Sequence, residues 1–133
     1  ARFETIGQRA DPLVAALGEA LEFKSRIGMK RIERRIKTLA LYLKTELNKI
    51  PGVRLHTPMD PYLSAGLTAF SMKNVKPEDL VNYVKEKHNL VIRTIGRKRD
   101  NTHGVRVSTN VYVSTEEIDL LLDAVRRLSG QSG

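Results

Sequence analysis

A chain of 133 residues with 41% apolar and 29% charged content is sized and composed for one domain with a real core, and is too short for two well-packed ones. Its formal charge of +8 prompts a nucleic-acid reading, which a solvated helix face or a surface meeting an acidic partner domain fits at least as well, whereas no apolar run reaches membrane-spanning length. Zero cysteines exclude disulfides, thiolate metal sites and a cysteine nucleophile within the chain, and His56, His88 and His103 are too scattered to suggest a metal site.

The first eleven residues have no clear period and read as an extended N-terminal arm that leads into Asp11 and Pro12, an N-cap followed by proline at the first helical position. Leu13, Leu17 and Leu21 recur every fourth residue over 12–23, which predicts a short amphipathic helix, and Gly28 marks a break or bend. From Met29 onward Ile32, Ile36, Leu39, Leu43, Leu47 and Ile50 form a regular stripe that Pro51 and Gly52 stop, which predicts a long helix. Lys24, Arg26, Lys30, Arg31, Arg34, Arg35 and Lys37 read as riding on one helix. A short strand is expected over 53–56, then a loop dense in turn formers over 59–66 and a second strand over 67–72. Pro77 opens a helix through His88 with Leu80, Val81 and Val84 inward and Asn89 at its C-terminal end. A third strand is expected over 90–95 and a fourth from Gly104, joined as an antiparallel hairpin by a loop carrying Arg97, Lys98 and Arg99.

The stretch around which the rest is organised follows. Val105 and Val107 alternate with Arg106 and Ser108, the two-residue period of a strand with one apolar and one polar face, so Arg106 points away from the core. Ser114 followed three residues later by Glu117 is a capping box, and Ile118, Leu121, Leu122, Val125 and Leu128 give the helix behind it an apolar face. Residues 129–133 hold nothing core-forming and read as a flexible tail. The order implies an α+β two-layer sandwich over 12–128, a mostly antiparallel four-stranded sheet covered by helices, with a long N-terminal helix. A guanidinium on a stiff strand suits bidentate recognition of a carboxylate or phosphate, although the same pattern also describes a plain solvent-facing arginine.

No self-sufficient catalytic constellation is present: there is no Gly-x-Ser-x-Gly elbow, no phosphate-binding glycine-rich loop and no metal-ligand cluster. The acid pairs Glu116 with Glu117 and Glu78 with Asp79 sit in first helical turns, where they complement the helix dipole. Tyr42, Tyr62, Tyr83 and Tyr112 lack the spacing of a base-stacking platform.

Three segments carry a family resemblance. They are residues 2–9; residues 20–23 with Ile27, Gly28, residues 32–35 and the long helix into Pro51, Gly52 and Val53; and Arg106 through Tyr112 to Asp119. In this succession the chain resembles the C-terminal small domain of class V aminotransferases, the pyridoxal-phosphate family that includes cysteine desulfurases and isopenicillin N epimerase-like proteins. The resemblance implies an aminotransferase, epimerase or desulfurase acting on an amino acid, with Arg106 binding the substrate carboxylate. It also implies that Gly7 and Gln8 lie near the cofactor phosphate of a neighbouring subunit in a homodimer. Gln8 stands where the family has Thr, Val113 where it has Asn, and Arg93 resembles a basic position on the preceding strand. The Schiff-base lysine and the acidic partner of the pyridine nitrogen belong, in that family, to a large domain, so the chain is expected to be inert alone and to bind pyridoxal phosphate only within the longer enzyme. The chain opens on Ala1 rather than Met and reads as a piece of a longer polypeptide, with the cytoplasm as its expected location. The competing readings are a nucleic-acid-binding module, which would use the basic helix face and the loop at Arg97, and a non-catalytic dimerisation domain.

Overall fold

The structure, a computed structural model, describes residues 10–96 and 103–130, so the arm up to Arg9, the loop at Arg97, Lys98 and Arg99, and the last three residues lie outside the described residues. The chain divides into two compact units, Ala1–Glu33 and Arg34–Gly133. In the first, helix α1 spans Asp11–Ile27 and buries none of its residues. It runs four residues beyond the expected end, to Gly28, whose φ of 93° is the left-handed conformation that ends a helix readily without a Cβ. Asp11 is not the N-cap. Ala10 takes that place with no side-chain bond, and Asp11 lies in the first turn, where its charge still complements the dipole. Helix α2 is Met29–Asn48, so the basic residues expected on one helix are shared out, Lys24 and Arg26 on α1 and the others on α2.

The second unit holds the sheet. Strands β1 (Val53–Leu55), β2 (Leu67–Met72), β3 (Arg93–Ile95) and β4 (Gly104–Ser108) lie in the order β1-β2-β4-β3, and all three pairings are antiparallel. Helices α3 (Pro77–His88) and α4 (Thr115–Gly130) complete the unit. Leu39, Leu43 and Leu47 from α2, Leu80 and Val84 from α3, and Ile118, Leu121, Leu122 and Val125 from α4 pack with Phe70, Val105 and Val107 into one core. The α+β sandwich expected from the element order is the observed fold, with its helices packed on the sheet.

Local chemistry explains the boundaries. The capping box forms in both directions: the Glu117 amide donates to Ser114 Oγ at 3.1 Å, and the Ser114 amide donates to Glu117 Oε2 at 2.8 Å. Next to it, the Glu116 carboxyl is held below the usual carboxylate range, chiefly by its own backbone N–H and then by the Ser114 hydroxyl. Asn89 takes the left-handed conformation and closes α3, and the Leu90 amide then bonds Val84 O at 3.1 Å. That cap ties the Leu90 amide to α3, and β3 begins at Arg93 and not at Leu90. Strand β4 ends at Ser108, and the Thr109 amide and hydroxyl both donate to Gly66 O, at 2.8 and 3.1 Å, which ties the end of β4 to the start of β2. Helix α4 carries on through Ser129 and Gly130, where the Ser129 hydroxyl donates to Pro51 O at 2.6 Å.

Candidate functional site

Register decides which side chains share a face. Val105 and Val107 lie opposite Phe70 and Thr68 on the core side, while Arg106 lies between Ala69 of β2 and Arg93 of β3 on the other. Arg106 and Arg93 are both exposed. Antiparallel partners have Cβ atoms about 5 Å apart, so the two side chains are rooted side by side on one face. Neither has a hydrogen-bond or ion-pair partner among the described residues. The burial of Val105 at 2% and Val107 at 8% fixes the strand beneath Arg106, leaving its side chain as the movable part. Gly104 helps to seat this strand, since a Cβ there would stand 2.3 Å from Phe70 O.

Arg54, His56, Ser71 and Ser108 share this face by the same alternation. His56 Nε2 lies 3.0 Å from Ser71 Oγ, and its pKa is pulled below the ordinary histidine value by burial first and the Arg54 charge second. Arg106 therefore belongs to a cationic sheet face, floored by Ala69, Ser71 and Gly104, and not to a cleft. An open cleft of about 410 Å³ begins beside it, lined by Val91, Val107, Ser108, Tyr112, Val113 and Ile118 among others, but Arg106 is not in its wall.

One polar residue escaped sequence reasoning. Lys44 is 2% exposed, and its Nζ donates to Pro58 O at 2.8 Å, Met59 O at 3.3 Å and Ser64 Oγ at 2.7 Å. All three ammonium protons are used to hold the turn before β2. Burial lowers its pKa, with Asp60 opposing the effect. The signal was available, because Lys44 follows Ala40 by four residues and precedes Leu47 by three, on the apolar face of α2.

The arrangement can bind an anion. It does not fit pyridoxal phosphate itself: Lys44 is the only buried lysine among the described residues, and its amine is committed to the turn. No cluster of metal-ligating side chains occurs among the described residues. Gly7 and Gln8, the expected phosphate neighbours, lie outside the described residues.

Comparison with known proteins identifies the family. The family model "Aminotransferase class-V" matches residues 7–121. This chain belongs to the aminotransferase class-V family. It is 29% identical over 131 residues to isopenicillin N epimerase from Streptomyces clavuligerus, covering 98% of this chain and 32% of that protein. It is 25% identical over 124 residues to a probable cysteine desulfurase from Methanothermobacter thermautotrophicus, covering 86% of this chain and 30% of that protein. A solved structure of a lysine-to-alanine mutant of C-DES, with glycine covalently linked to its PLP cofactor, superposes with a TM-score of 0.76 at 26% identity. That match covers 94% of this chain and 31% of the other. The chain thus spans about a third of the length of the relatives it matches.

Proposed function

We propose that this chain is the C-terminal small-domain part of a pyridoxal-phosphate enzyme acting on an amino acid, and that Arg106 anchors the substrate's carboxylate. The observation that carries the reading is Arg106 itself: a guanidinium without a partner among the described residues, exposed on a strand whose neighbours on either side are buried. The cofactor, when bound in the longer enzyme, supplies the electron sink for chemistry at the substrate's α-carbon. This chain's part is to hold the acid group of the substrate in a planar fork. With no cysteine it brings no thiolate nucleophile, and transamination, epimerisation and lyase chemistry all remain compatible with its residues. The uncovered apolar stripe of α1, with Leu13 72%, Leu17 59% and Leu21 55% exposed, supports a chain that meets further protein surface. The nucleic-acid and bare dimerisation readings are not favoured, since the family match runs through Arg106 and the start of α4.

Replacement of Arg106 by Ala or Lys in the full-length protein tests the assignment. Loss of a hydrogen-bonded charge contact costs about 1.5–3 kcal/mol, so the amino-acid KM should rise roughly 10- to 150-fold. Lys cannot reproduce the fork and should not restore it. An unchanged KM in both variants overturns the reading.

A further inference from the structure

Arg93 and Arg106 are direct cross-strand partners on the open face of the sheet. Like charges placed opposite one another destabilise a ladder, so such a pair needs a counter-charge. None is at hand. The strand residues sharing that face are Arg54, Ser71, Ala69, Leu67, Ser108 and Ile95 with Gly104, and no Asp or Glu is among them. Elsewhere the chain does satisfy an arginine where acids are near, as Arg126 does with Asp123 at 2.9 Å and Glu46 at 3.3 Å.

One carboxylate is satisfied by one guanidinium fork. An acid bound at Arg106 alone therefore leaves the Arg93 fork unused and the repulsion only partly relieved. From the proposed role of Arg106, on which this step rests, we infer that Arg93 is a second acid-binding group and that the substrate is an amino acid carrying a second acid group. Strands about 4.8 Å apart root the two side chains side by side, within reach of the two acid groups of one aspartate- or glutamate-like molecule. Because β3 is the edge strand, the second acid lies toward that edge, with the small Ala69 on the opposite side of Arg106.

The test is a side-chain NMR titration of the 133-residue chain, following the arginine Nε–H resonances with glutarate and with acetate at matched ionic strength. Glutarate should bind about tenfold more tightly than acetate and move both the Arg93 and Arg106 signals. Arg93→Ala should abolish that preference while acetate still moves Arg106. Arg54→Ala removes the same charge from the same face and should leave the preference intact, which separates a specific pair from general attraction of a dianion. Equal affinity for the two acids, a preference that survives Arg93→Ala, or one lost equally in Arg54→Ala overturns the inference while leaving Arg106 as a carboxylate site. If neither acid moves Arg106, the inference fails, while the carboxylate-anchor reading is judged separately by the KM of the Arg106 variants in the full-length protein.

Discussion

The two faces of the sheet divide the labour of this chain. On one, Phe70, Val105 and Val107 are packed beneath helices; on the other, Arg54, Arg93 and Arg106 are exposed, with no acid among the described strand residues of that face. Alternation along a strand lets adjacent residues serve opposite ends, so Val105 and Val107 stabilise the fold while Arg106 between them is free to bind. The sharpest way to break this comparison is to truncate one residue on each face. Phe70→Ala empties a fully buried site and should cost about 3–5 kcal/mol, read as a lowered urea midpoint or outright failure to fold. Arg106→Ala should leave the midpoint within about 0.5 kcal/mol while weakening substrate binding as described above. Comparable destabilisation by both would mean that the open face is part of the fold's support.

A second test concerns a polar group on the apolar side of α2. Lys44→Met keeps the aliphatic stem but removes three hydrogen bonds to the turn before β2, two of them to carbonyls. We expect a loss of about 2 kcal/mol and faster proteolysis near Tyr62 and Leu63, which are 93% and 71% exposed on that turn. Unchanged cleavage there would show that Asp60 and Ser64 hold the turn unaided, through the bonds from the Tyr62 amide to Asp60 Oδ1 and from the Ser64 hydroxyl to Asp60 O.

The core face carries its own exception. Thr68 Oγ1 is buried without a hydrogen-bond partner among the described residues. Thr68→Val replaces that hydroxyl by a methyl of similar size, and a gain of about 1 kcal/mol in chemical denaturation is expected. A loss instead would show that the hydroxyl has a role the apolar surroundings conceal.

How much of this was legible beforehand depends on how local the determining physics is. The register of Arg106 followed from Val105 and Val107, the start of α4 from Ser114 and Glu117, and the end of α3 from Asn89, each a signal contained in a few residues. Helix α3 and strand β2 were legible to the residue for the same reason. What required three dimensions was pairing. That Arg93 lies opposite Arg106 depends on how the hairpin closes, and the buried ammonium of Lys44 depends on carbonyls 14 and 15 residues away in the chain. Helix α1 shows the converse. Its leucine period describes an amphipathic helix, yet periodicity says only that an apolar face exists, and none of the residues of α1 is buried.

The smallest expected effect sits at the far edge of the open face and concerns proton linkage. His56 has its pKa lowered in the folded chain, by burial and then by Arg54, so the folded state resists protonation that the unfolded chain accepts near the ordinary value of about 6.5. Between those two values the unfolded state binds more protons, and stability must fall as pH drops. Above about 6.5 both states are neutral and the histidine imposes no pH dependence; below the folded value both are charged and its contribution levels off. His56→Gln keeps a group able to meet Ser71 Oγ but cannot titrate. Denaturation of both forms between pH 7.5 and 5 should therefore show a decline in the parent chain that is shallower in the variant by less than about 1.4 kcal/mol per pH unit, the ceiling for one proton. Parallel curves would place the titrating group elsewhere, and a parent chain that grows more stable as the solution is acidified would reverse the sign required by a half-buried imidazole whose pKa is lowered.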